Sequence, residues 1–147
     1  MRVFLCSYKS FSLAIPIESV SLITLHTGNA EKKIEFKNEN RNTYISLPLL
    51  LNSPQDVIKH GIILKNINED QDNDVFEDRT ILLTTEIECE TEIDDENIYS
   101  IPHVFKITRF SYLFSGIFFY SQNHEGGLIL LMNPKQLIQN LKKELIT

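Results

Sequence analysis

Three stretches of this chain carry residues whose types and spacing invite chemistry. Asp70, Asp72 and Asp74 stand at alternate positions, as the first ligands of a Ca²⁺ loop do. Glu86, Glu88, Glu90 and Glu92 alternate through "TEIECETEI", and neighbouring carboxylates are a common means of general acid/base catalysis. "NHEGG" sets His124 and Glu125 ahead of Gly126 and Gly127, the composition of a loop that holds a ligand.

Each stretch fails a chemical requirement. A Ca²⁺ loop needs glycine at its sixth position and a bidentate glutamate at its twelfth. Here those positions hold Val75 and Ile81, so 68–79 reads as a solvated acidic loop. Acid/base catalysis needs two carboxylates in unlike environments. In a strand, side chains alternate, which puts all four glutamates on one face and Ile87, Cys89, Thr91 and Ile93 on the other. That pattern describes an exposed strand kept soluble by charge, or an acidic docking face for a basic partner. A phosphate cradle opens onto a helix, whereas "NHEGG" opens onto the strand-like "LILLM". It reads as a hairpin bend with His124 and Glu125 at the tip. His26, His60 and His103 have no metal-ligand spacing, and no serine or cysteine sits beside a spaced base. The sequence commits to no enzyme, metal or cofactor.

The elements around these stretches are short. The chain has 147 residues, 42% hydrophobic and 23% charged, which is one ordinary domain with a real core. Its net charge is −6 and no run of lysine and arginine follows a single face, which argues against nucleic acid and anionic membrane as partners. No stretch has the apolar length of a membrane helix or of a signal-peptide core. Cys6 and Cys89 lack paired spacing and read as buried or half-buried free thiols in a reducing cytoplasm.

"RVFLCSY", "FSLAIPI", "SVSLITL", "KKIEFKN" and "GIILKNI" are strand-like runs. "NENRN" is a turn leading into "TYISLPLLL". Ser53 and Pro54 form a cap-plus-proline signal that predicts a short helix over "SPQDVIKH". Asn133 and Pro134 give the same signal for a terminal helix, with Leu137, Ile138, Leu141 and Leu145 along one stripe. Many strands, two brief helices and no β-α-β alternation point to an all-β barrel class.

In this order the strands resemble the CheW family of chemotaxis coupling proteins, from about Arg2 to Ile138. "VFLCSYKSFSLAIPIESVSLI" is similar to the family's opening, with Phe11, Leu13, Ile15, Pro16, Ile17, Val20 and Ile23 at the patterned positions. "ENRNTYISLPLLL" is similar to the family's "N-L-R-G-x-V-x-P-V-I-D-L", which sets Arg41 at the arginine and Asn42 at the glycine, where left-handed backbone is needed. "LLTTEI" and "FSGIFFY…GGLILLMNPKQLI" follow the family's later strands and closing helix.

The resemblance implies one CheW-like domain over 1–147, built of two intertwined SH3-like five-stranded β-barrel subdomains with a C-terminal helix. The boundary is expected near 68–79. It implies a cytoplasmic, non-enzymatic adaptor that joins a chemoreceptor cytoplasmic tip to the regulatory domain of the histidine kinase CheA, with no cofactor and no membrane insertion. Arg41 takes the position tied to receptor coupling, and Val20 lies in the strand lining that region. The alternative is a divergent β-barrel module of the same fold that binds a different protein or a small ligand. Departures from the family pattern are Leu49 and Thr85 where it has aspartates, Asn133 for a third, Ser46 for a proline, and the polar "HTGNAEKKIEFKNEN" before Arg41.

Overall fold

The computed structural model describes residues 1–37, 39, 41–65, 79–100, 113–119 and 127–146. The hairpin tip with His124 and Glu125, the candidate Ca²⁺ aspartates Asp70, Asp72 and Asp74, and His103 lie outside the described residues. The chain forms two compact units. The first takes Met1–Ile17 and Glu88–Thr147, and the second takes Glu18–Ile87. The chain therefore crosses between units at Ile17/Glu18 and at Ile87/Glu88, while 68–79 joins two strands of one unit.

The first unit is a five-stranded sheet in the order β8-β1-β2-β10-β9. β1 (Arg2–Ser7) and β2 (Ser12–Pro16) form a hairpin closed by Tyr8 N–H donating to Phe11 C=O at 2.9 Å. The two rings at that turn stack with centroids 5.0 Å apart. β8 (Ile87–Glu92) pairs outside β1, β10 (Leu128–Met132) runs parallel to β2, and β9 (Phe114–Phe119) closes the other side antiparallel to β10. Val3, Leu5, Ala14, Ile93, Phe118, Ile129 and Leu131 form a buried cluster, with Ile98 packed against it. α2 (Pro134–Ile146) follows β10. Asn133 caps it by accepting Gln136 N–H through Oδ1 at 3.3 Å, and Leu137 is buried. The side chains of Leu141 and Leu145, expected on the same stripe, lie outside the described part.

The second unit is a five-stranded sheet in the order β3-β6-β7-β5-β4. Its strands are β3 (Val20–Gly28), β4 (Ile34–Lys37), β5 (Asn42–Ser46), β6 (Ile58–Leu64) and β7 (Arg79–Thr84). Backbone pairing leaves β3 and β4 as edges, so the ladder does not close into a ring. The sheet nevertheless curls strongly. The His26 ring on edge strand β3 lies 6.1 Å from the Tyr44 ring on β5, across the two strands between them. Gly61 on β6 makes room for that curl. A Cβ there would meet Thr24 Oγ1 at 2.9 Å and Ile81 Cγ2 at 3.3 Å. Ile58, Ile81 and Leu83, with Ala30, Tyr44 and Ile63 around them, form the local cluster.

One helix differs from expectation. No helix forms over "SPQDVIKH". Residues 53–57 are a turn in which Asp56 N–H donates to Ser53 C=O at 3.1 Å, and β6 begins at Ile58. The helix is α1 (Leu47–Leu50), inside the run "TYISLPLLL". Ser46 supplies its cap, accepting Leu49 N–H at 3.4 Å, and Pro48 sits in the first turn. Ser53 is followed directly by Pro54 and Ser46 has Pro48 two residues on, but Ser46 is where a strand ends, so only there does a cap have a helix to begin.

The first unit's edge is closed against β9 by Tyr99, which exchanges both backbone hydrogen bonds with Ile117 at 2.8 and 2.9 Å. Gly116 lies beneath this pair, where a Cβ would sit 3.0 Å from Tyr99 O and 2.6 Å from Ile98 Cγ2. The Gly116→Ala variant is expected to lose about 1–3 kcal/mol, the usual cost of overpacking. Urea unfolding of the variant beside the parent chain measures this, and an unchanged midpoint would contradict the packing described.

Candidate functional site

Arg41 is exposed and stands at the turn before β5 with φ 53°, in the left-handed region. Its carbonyl accepts the N–H of Arg79 at 3.1 Å, which ties the turn to the start of β7. Asn42, placed at the family's glycine by resemblance, is instead the first ordinary residue of β5 and pairs with Arg79 and Lys37. The left-handed position is thus one residue earlier than the sequence pattern assigned it. The Asn42 amide is held by its Nδ2 donating to Tyr44 Oη at 3.4 Å, while its Oδ1 is buried without a partner.

Val20 begins β3, half-buried, and pairs with Leu64. Following the ladder from β3 through β6 and β7 to β5 puts Val20 and Arg41 at the same end of the sheet. They are three strand spacings apart, about 14 Å along it. The ladder sets them at one end of the unit's sheet without putting them on neighbouring strands.

The four glutamates are all exposed, but they do not form one uniform face. Glu88, Glu90 and Glu92 lie on β8, while Glu86 precedes the strand and its carboxylate is 3.9 Å from Lys59 Nζ. Glu90 forms an ion pair with Arg2. On the opposite face Ile93 is buried and Ile87 and Thr91 are half-buried, but Cys89 is exposed, contrary to the expectation of a shielded thiol. An edge strand covers its inward face only as far as its one neighbour reaches, and β8 has only β1 beside it. Cys6, on β1, is buried as expected. The step into β8 is fixed by His60, whose Nδ1 accepts Ile87 N–H at 3.1 Å.

Apolar side chains are exposed on both edges of the second unit. Leu25 is 84% exposed and Leu22 57% on β3, and Phe36 is 51% exposed on β4. β3, "VSLITLHTG", is nine residues long and carries no lysine, arginine, aspartate or glutamate. Sheet edges are ordinarily blunted by charge, as β8 and β4 are here. Composition alone does not show this feature, because Leu22 and Leu25 lie in a strand-like run no different in type from those of the core. Among the described residues no three histidine, cysteine or acidic side chains gather as a metal site, and no helix is long and apolar enough to cross a membrane.

No protein-family model matches the chain, and no curated protein sequence does either. Among solved structures it is similar to the scaffolding protein TtCheW from Thermoanaerobacter tengcongensis, with a TM-score of 0.63 over 90% of this chain and 83% of that one. The fold is that of CheW. At 12% identity the likeness is one of backbone, with most side chains changed.

Two departures from the family pattern keep a role in the CheW fold. Asn133 in place of aspartate still caps α2, since either side-chain oxygen can accept the first-turn N–H. Ser46 in place of proline caps α1. Thr85 is buried and its Oγ1 has no partner, so that exchange leaves a polar atom unsatisfied. Leu49 is half-buried in α1.

The conformation of Arg41 makes a direct test of the shifted turn. Glycine adopts left-handed backbone without the cost that a side chain bears there, so Arg41→Gly is expected to stabilise the chain by about 0.5–1 kcal/mol. Asn42→Gly, in extended backbone, is expected to destabilise it by a similar amount. Paired thermal melts read both signs, and the opposite order would restore the glycine position to residue 42.

Proposed function

We propose that this chain is a cytoplasmic, non-enzymatic adaptor that couples a chemoreceptor cytoplasmic tip to the regulatory domain of a CheA-type histidine kinase. The observation that carries the reading is the exposure of Leu22, Leu25 and Phe36 on the edge strands of a CheW fold. An adaptor works through apolar surface that water covers only until a partner arrives. The solved neighbour is described as a scaffolding protein, which supports the same class of role.

In this proposal Arg41 and Val20, at one end of the second unit's sheet, face the receptor. The uncharged edge of β3 takes the kinase domain. Glu88, Glu90 and Glu92 keep β8 from pairing and present carboxylates to any basic surface of a partner. A single aspartate on β3 then acts at the interface without touching the core, because Leu25 is already in water.

Calorimetric titration against the kinase regulatory domain and against a receptor-tip fragment from the same cell tests the proposal. Kinase binding is expected in the micromolar range, about −8 kcal/mol. Leu25→Asp is expected to weaken it by about tenfold or more, as burying an unpaired charge does. Arg41→Ala is expected to weaken receptor binding while leaving kinase binding intact. Absence of heat with both partners would end the coupling proposal and leave a CheW-fold module that serves another protein or a small ligand.

A further inference from the structure

The strand register of the second unit gathers cations that are far apart in sequence. Lys37 on β4 lies opposite Asn42 on β5, which lies opposite Arg79 on β7. Continuing the β6–β7 register beyond Ile63↔Ile81 sets Lys65 level with Arg79, and Lys65 N–H donating to Ser19 C=O at 2.9 Å keeps it in line with the sheet. Residues opposite one another in a ladder share a face. Lys37, Asn42, Arg79 and Lys65 therefore form one rung, on the same face as Tyr44, Ile81 and Ile63. The Lys37 ammonium, 5.1 Å from the Tyr44 ring centroid, agrees with that placement.

We propose that this rung, with Lys37, Arg79 and Lys65 as its charged groups, takes an acidic extended segment of a protein partner. The proposal rests on the adaptor reading and names the chemistry of the partner at that end of the sheet. All three cations are exposed, and neither Arg79 nor Lys65 has an ion pair among the described residues. In a chain with 20 acidic and 14 basic residues, these three cations share a rung that holds no carboxylate among the described residues, with Glu39 in the turn just beyond it. By register, the acidic residue of the neighbouring rung is Glu35, opposite Tyr44.

The geometry favours a peptide over other anions. Measured along the curled sheet the rung crosses three strand spacings, about 14 Å, and alternate side chains of an extended peptide fall about 7 Å apart, so acidic residues at i and i+2, and at most i+4, reach its cations. Between the cations sits Asn42, whose buried Oδ1 lacks a donor. A peptide spaces its carboxylates along the rung, whereas inorganic phosphate meets one part of it at a time. A nucleic acid presents charge along a much longer path than one rung and meets a chain of net charge −6.

The test is fluorescence anisotropy of the full chain with a labelled peptide of alternating glutamate and threonine, its glutamine counterpart, and a single-stranded oligothymidylate. Residues 66–78, which join Lys65 to Arg79, are themselves rich in carboxylates, so the probe competes with every acidic group the protein carries. The glutamate peptide is expected to bind. The Lys65→Glu/Arg79→Glu pair is expected to weaken it about tenfold or more, and Lys32→Glu, half that charge change and outside the rung, about twofold or less. Lys65→Gln with Arg79→Gln, checked by thermal melt, keeps the result readable if the reversed pair does not fold. Equal affinity for the glutamine peptide, equal loss in Lys32→Glu, preference for oligothymidylate, or no binding overturns the proposal. The same variants titrated with the receptor-tip fragment separate the two readings. Peptide binding through the rung with no receptor binding defeats the coupling proposal alone, and receptor binding indifferent to the rung defeats this one alone.

Discussion

The second unit depends on one pairing, the parallel alignment of β5 with β7. Parallel neighbours cannot be joined by a tight turn, so the chain must leave the end of β5 and return to the level of its start. α1, the turn at 53–57, β6 and the connector after it make that return. The consequence is chemical as well as topological. Both strands enter at the same end, which places the Arg41 turn beside Arg79 and makes their backbone hydrogen bond possible. β4 and β6, each antiparallel to one of the pair, bring Lys37 and Lys65 to that end as well. In the first unit the parallel pair is β2 with β10, and everything between Pro16 and Leu128 is its crossover, including the whole of the second unit.

Features set by local chemistry were legible in the sequence. The Asn133-Pro134 cap and the exposure of the four glutamates each follow from a few adjacent residues, and both are present, whereas the alternation in "KKIEFKN" forms a strand without burying Phe36. The helix expected after Ser53 fails to form for a local reason too. Ser-Pro is a cap only where a helix follows, and "PQDV" is followed at once by an apolar strand that claims Ile58 for the sheet. At Ser46 the serine at a strand end, with a proline two residues on, marked the true start.

Features set by register were not legible. Arg41 and Asn42 are adjacent, and the sequence gives either residue a claim to the left-handed position. Asparagine has the better intrinsic tolerance. What decides the matter is that Asn42 must pair with both Lys37 and Arg79, which needs extended backbone, and the turn falls to the arginine. Lys37, Lys65 and Arg79 illustrate the same limit. No linear pattern unites them, and only a ladder with one parallel and two antiparallel pairings puts them in a row.

The four sheet edges show how constraint divides between folding and binding. β8 is guarded by glutamates and β4 by a lysine and a glutamate, while β9 has no charge but is covered by Tyr99. β3 alone has neither charge nor, among the described residues, a covering strand. Its register shifts, between Val20 and Leu22 and again between Leu25 and Gly28, break the flat template on which strands aggregate. The shifts limit uncontrolled pairing yet leave Leu22 and Leu25 in water, where folding gains nothing from them. Burial on folding explains Ile62 and Leu82, which any chain of this fold must supply in some form. It gives no account of Leu25, so selection for folding alone would let that position become polar. A fold retained at low identity keeps its core volumes and register while its exposed residues drift. In the adaptor proposal the apolar residues on this uncharged edge are assigned to a contact with a partner, and the cations at the end of the same sheet to an acidic one.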